Sequence, residues 1–210
     1  MLNRRQLGCA LASTLAWGAV APARAQADTV IHLLVGFPAG GGSDAIARLL
    51  AEKLQADLGR SVVVDNRPGA GGQIAAQQLK TARADGTTLF LSHDHTISIL
   101  PQVTKKPGFD PQADFEPVGG IATFVNGLAV SGGTPARSVS EFIDWVRKQG
   151  GQAAIGIPAP ASTPEFLVQL LAKKYDVKLT AVPYKGSAPM MADMLGNQIP
   201  AGIGSVPDFI

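Results

Sequence analysis

Twice in the first 80 residues an apolar run of strand length empties into a glycine-rich loop that opens directly into a helical pattern. Residues 30–35 lead through Gly36-Phe37-Pro38-Ala39-Gly40-Gly41-Gly42-Ser43 into a helix at 44–58; residues 61–64 lead through the loop 65–72 into a helix at 73–79. A strand that returns to its sheet through a helix runs parallel to the one before it, and parallel strands need cover on both faces. The repetition therefore commits the chain to an α/β architecture. On the first helix Ile46, Leu49, Leu50, Leu54 and Leu58, with the Lys53 stem, form the apolar stripe, and Gly59 closes it.

The same grammar continues. A strand at 88–91 is followed by a proline- and glycine-rich stretch, 104–117, that interrupts regular structure, and by an extended segment at 121–130. Then come a helix at 139–148 capped by Ser138 or Ser140, with Phe142, Trp145 and Val146 facing the core, a strand at 153–157, a helix at 164–174, a strand at 179–182, a helix at 188–195 and a strand at 201–204. We expect two α/β lobes, 26–120 and 121–210, joined near residues 117–127.

Residues 1–25 read as a secretory signal peptide: Asn3, Arg4 and Arg5 precede an apolar stretch, and Ala23-Arg24-Ala25 is a small-x-small cleavage site. The stretch is too short and too diluted by Gly8, Ser13, Thr14 and Gly18 to be a membrane anchor. Cleavage removes three of the 18 bases and none of the 16 acids, so a precursor of net charge +2 becomes a mature chain of −1. That balance, without basic runs, gives no footprint for nucleic acid or anionic lipid. The one cysteine, Cys9, leaves with the leader, which excludes a disulfide scaffold.

The loop 37–44 places three consecutive glycines at a helix N-terminus, where free amides and the positive helix end favour an anion. Its bland alternative is a tight turn with Ser43 as N-cap. A specific competitor is a dinucleotide fold, since Gly40-Gly41-Gly42-Ser43-Asp44-Ala45 fits G-x-G-x-x-A and Asp65 ends the second strand. Ser92-His93-Asp94-His95 invites a metal or hydrolase reading. His32, the remaining histidine, sits in the first strand, a catalytic metal needs three protein ligands around an open position, and adjacent residues cannot converge as a catalytic relay, so a polar helix start is preferred and no metal or cofactor is expected. Asp44 complements the helix dipole, or pairs with a ligand ammonium. Tyr184 and Lys185 follow a strand and reach toward the cleft or its rim.

The motifs VGFPAGGGSDAIAR (35–48), VVVDNRPGAGGQIAA (62–76) and ADGTTLFLS (84–92), with Phe109-Asp110-Pro111, Asp114-Phe115-Glu116-Pro117-Val118 and Val182-Pro183-Tyr184-Lys185-Gly186, resemble the extracytoplasmic solute-binding subunits of tripartite tricarboxylate transporters, the Bug family. The resemblance implies a type II periplasmic binding protein whose two lobes close on a small organic anion, commonly a carboxylate, and deliver it to integral-membrane transporter subunits. It further implies a monomeric periplasmic receptor that is not an enzyme. One ligand carboxylate would be held by the loop Phe37, Ala39, Gly40, Gly41, Gly42, Ser43 and Asp44. Ser92 would line the cleft, and Ser162 and Thr163 would clamp from the second lobe. Pro158, Pro160 and Ala161 depart from the small polar turn of relatives, and Glu165 would repel a second ligand carboxylate. Relatives also run on by about a hundred residues that complete the first lobe, so this lobe is expected to be incomplete.

Set against the receptor are a secreted α/β enzyme or dinucleotide-binding protein, and an interaction module. The sequence offers no nucleophile with a converging base for the first, and two glycine loops at strand ends suit a crevice better than a flat docking surface.

Overall fold

The computed structural model describes residues 30–210, so the expected leader lies outside the described residues. In chain order the elements are β1 (Ile31–Val35), α1 (Gly42–Leu58), β2 (Val62–Asn66), α2 (Gln73–Thr81), β3 (Thr88–Leu91), α3 (Leu100–Val103), β4 (Asn126–Val130), α4 (Val139–Lys148), β5 (Gln152–Ile157), α5 (Thr163–Tyr175), β6 (Lys178–Pro183), α6 (Ser187–Leu195) and β7 (Ala201–Ser205). They build two sheets. The first, in order β2-β1-β3, is parallel throughout. The second, β4-β7-β5-β6, is parallel except at its edge, where β4 runs antiparallel to β7. The expectation of parallel sheets fails only at β4, which enters from the long crossing segment and has no helix to turn it over.

α1 begins two residues earlier than its pattern predicts, with Gly41 as N-cap, and Ser43 lies inside the first turn. Its buried stripe is also displaced. Asp44, Ala47 and Ala51 face the sheet, whereas Leu49 is 60% exposed and Leu58 is half out. Small residues win that face because they let the helix lie close on β1, where Leu33 and Val35 complete the core with Leu50, Val62, Val64, Leu89 and Leu91. β1 is interrupted by one exposed residue, His32, contrary to an uninterrupted buried strand. The expected stop is present: Gly59 is left-handed (φ 62°) and its amide bonds to the Gln55 carbonyl.

The second sheet carries the larger core. Phe142, Ile143 and Val146 of α4 pack with Ile155, Ile157, Val168, Ala201 and Ile203, and Trp145 stacks on Phe142 with centroids 5.9 Å apart. α4 is fixed at its start by Ser138, whose Oγ accepts from the Glu141 amide at 3.2 Å, and by Glu141, which accepts from the amide of Arg137 just before the cap at 2.7 Å. Met190, Met194 and Ile199 form a separate cluster under α6.

The crossing segment is pinned rather than loose. Gln73 and Gln77 of α2 both donate to the Pro107 carbonyl, at 2.6 and 2.8 Å, and Phe109 is buried against Ala76 and Leu100. Between β3 and α3 the backbone makes a turn of π geometry, His95–Ile99.

Candidate functional site

A cleft of about 260 Å³ lies between loops from the two sheets. On the first side stand Gly36, Phe37 and Gly69 to Gly71; on the second stand Pro158, Ala159, Pro160 and Pro183 to Gly186. All four loops leave the carboxyl ends of parallel strands, the place where open α/β sheets leave room for a ligand.

Close backbone approach positions the first side. A side chain on Gly36 would come within 2.6 Å of the Gly72 Cα, so the two glycine loops touch only because Gly36 has none. Thr96, fully buried, donates from Oγ1 to the Gly71 carbonyl at 2.7 Å and ties the second loop to the turn after β3. On the other side Gly186 and Tyr184 donate backbone N–H groups to Pro158 and Ile157, each at 2.8 Å. Tyr184 also donates its hydroxyl to Asp193 at 2.6 Å, and burial together with that carboxylate pushes the phenol up to about 12.

The loop 37–44 is closed on itself. Asp44, 4% exposed, accepts from the Gly40 amide (2.9 Å), Arg48 Nε (2.9 Å) and Asn66 Nδ2 (3.0 Å), and Asn66 also donates to the Phe37 carbonyl. Burial pushes the Asp44 carboxyl upward, but the Arg48, Gly40 and Asn66 hydrogen bonds and the Arg48 charge outweigh it and hold the group below its ordinary range. Asp44 thus braces the loop. The amide of Gly42 donates to Asp208 Oδ1 at 2.8 Å. Steric need for glycine falls at Gly40, whose φ is 84°, and at Gly42, where a Cβ would meet Asp208 at 2.7 Å; Gly41 has an ordinary φ of −90°.

Ser92, His93 and His95 follow β3. His93 stacks on Phe37, with ring centroids 4.6 Å apart, and meets the edge of Phe124. Burial lowers the affinity of both imidazoles for a proton; Asp94 and Asp208 oppose this at His93, while at His95 the neighbouring His93 adds to it and Asp94 opposes. Among the described residues no three His, Cys, Asp or Glu side chains gather as a metal site.

Of the residues the sequence singled out, Phe37 borders the cleft. Ala39 and Gly40 are exposed on the loop, Gly41, Gly42, Ser43 and Asp44 open α1, and Ser92 directly follows β3. Ser162 is the N-cap residue of α5 and turns its hydroxyl inward to the Ala159 carbonyl at 2.6 Å; Thr163 begins the helix. Glu165 accepts from the Ala161 amide at the start of its own helix. Sequence reasoning missed the cleft roles of Gly69 to Gly71 and Pro158 to Pro160, and the bracing by Asn66 and Asp208. The second loop had a signal in its glycines; Asp208, 166 positions from its partner, had none. The competing dinucleotide motif finds Asp65 already paired with Arg67 at 2.7 Å.

Residues 46–209 match the family model of the tripartite tricarboxylate transporter family receptor, TctC. The chain belongs to this family. This chain is 34% identical over 193 residues to the UPF0065 protein in the gbd 5' region of Cupriavidus necator and 32% identical over 182 residues to BugT of Bordetella pertussis. These alignments cover 90% and 84% of this chain but 58% and 55% of the relatives, so it spans little more than half their length. Among solved structures the R. palustris protein Rpa4515 with adipate superposes with a TM-score of 0.80 at 36% identity, covering 85% of this chain and 60% of that one. The structure of the periplasmic binding protein BugD superposes with a TM-score of 0.73 at 32% identity, covering 84% of this chain and 58% of that one, so the α/β fold of periplasmic binding proteins is as expected.

Proposed function

We propose that the protein is an extracytoplasmic receptor that captures a small organic dianion, a dicarboxylate, between its lobes and delivers it, as a monomer and without chemical turnover, to the integral-membrane subunits of a tripartite tricarboxylate transporter. The observation that carries this is the cleft's make-up: Phe37, Tyr184, Pro158, Pro160 and Pro183 present apolar walls, and Lys185 supplies a cation. Such a space suits a methylene chain ending in acidic groups, and a relative of the same fold was solved with adipate. In this reading Phe37 packs on the chain, the loop Ala39 to Asp44 with the α1 N-terminus turns its positive end toward one carboxylate, and Ser92 with the α5 start at Ser162 and Thr163 bounds the pocket. The leader at residues 1–25 sends the protein to the periplasm.

Calorimetry with succinate, glutarate and adipate tests the reading: saturable binding, with recovery of the acid unchanged after incubation, is the expected outcome. Absence of binding by the whole series, or its conversion, overturns it.

A further inference from the structure

Behind the cleft wall lies a polar cluster that the fold does not use. Ser92 Oγ, His93 Nδ1 and both ring nitrogens of His95 are buried with no hydrogen-bond partner in the chain, and His95 is only 6% exposed. Buried polar groups are nearly always paired, so four such atoms on residues 92 to 95 call for a reason. Apolar side chains there would serve stability better. The backbone at this point has also left ordinary helix geometry for a π turn, a feature that recurs at functional sites.

The cluster is one layer from the cleft. His95 Nε2 stands where a Cβ on Gly71 would be, 2.4 Å away, and Gly71, at φ 66°, lines the cleft; the missing side chain is what brings the imidazole to the wall. His93 lies face to face with Phe37, which lines the same wall. Phe37 thus covers one ring and the second glycine loop the other.

We propose that Ser92, His93 and His95 form a protonatable subsite at the floor of the cleft, which receives one carboxylate of the ligand and takes up a proton as it does so. The inference rests on the receptor reading above and names the residues that set its charge preference. The charged groups that act on the pair are Asp94 from its own turn and Asp208 from the turn after β7; each histidine also faces the other, and Phe37, Phe124 and Gly71 bring no charge. Burial disfavours the charged form of both rings. A ligand carboxylate adds a negative charge beside them and tips the balance toward the imidazolium, the proton passing from the solvent to a ring nitrogen. Ser92 and the N–H groups of the rings then donate to the carboxylate oxygens.

The test is calorimetric titration of adipate between pH 6 and 8, corrected for the ligand's own protonation, into the protein in two buffers of different ionisation enthalpy. Expected are a buffer-dependent heat showing net proton uptake and an affinity that rises as the pH falls from 8 to 6. His93→Gln and His95→Gln should each cost about tenfold in affinity and flatten the pH dependence. Should His95→Gln fail to fold, the two-buffer comparison on the unaltered protein decides by itself. Adipate binding with equal heats in both buffers and no pH dependence overturns the subsite and leaves the receptor reading standing, whereas no binding by succinate, glutarate or adipate overturns both.

Discussion

The backbone amide of Gly42 donates to the carboxylate of Asp208 at 2.8 Å, joining the first turn of α1 to the turn that follows β7. No side chain from the helix's own N-cap serves that amide, because the N-cap is Gly41. A carboxylate from the turn after β7 does the work of a cap and adds a favourable charge at the positive helix end.

Asp208→Ala is therefore expected to lower stability by about 1 kcal/mol, read from urea unfolding followed by circular dichroism. Gly42→Ala should cost as much or more, since its Cβ would lie 2.7 Å from Asp208 Oδ1. The two losses should fall short of adding in the double variant, because removing Asp208 also removes the clash. Additive losses would show that the two residues do not meet.

Asp44 is the hub of the first loop, and Asp44→Ala strands the Gly40 amide and Asn66 amide it now satisfies. A loss of about 2 kcal/mol is expected. Because folding lowers its pKa below the ordinary 3.8, Asp44 contributes stability that is complete above that pH and disappears as the pH falls through the lower folded value. The buried histidines act in a higher window. Their folded pKa values lie below the ordinary 6.5, so stability is lost as the pH falls from 6.5 toward those values. Unfolding midpoints measured from pH 8 to pH 3 should show both declines, and His93→Gln with His95→Gln should remove the upper one.

Gly71→Ala forces a Cβ to within 2.4 Å of His95 Nε2 at a backbone angle that L-residues rarely adopt. The expected destabilisation is about 2 kcal/mol, of which His95→Ala in the same chain should recover the steric part. No recovery in chemical denaturation would place His95 away from the second loop.

Tyr184→Phe removes the hydroxyl that donates to Asp193 and should cost about 1 kcal/mol. In the unaltered protein one of the tyrosines should resist ionisation until about pH 12, as followed by absorbance at alkaline pH, and that component should vanish in the variant.

Local chemistry made much of the fold legible. The strand Thr88–Leu91 and the helix Val139–Lys148 fall at their expected bounds, because each is written by neighbouring residues: apolar runs, the Ser138 cap, the Glu141 that completes it. The α1 stripe was misread for a reason of the opposite kind. Leucines mark an apolar face in isolation, yet the side turned to the sheet is chosen by how near the helix must lie, and Ala47 and Ala51 permit the closer approach.

The sequence by itself determined the α/β grammar, the family and the two glycine loops at strand ends, since backbone preference and short-range periodicity are properties of adjacent residues. Only the tertiary structure decided what those loops touch. It gave the Gly42 amide to Asp208, turned Glu165 back on its own helix, laid Phe37 on His93 and set His95 behind Gly71. Apart from the Glu165 contact, which spans four residues, those pairings are a matter of distance between segments remote in the chain, and distance is fixed by packing, which no local pattern encodes.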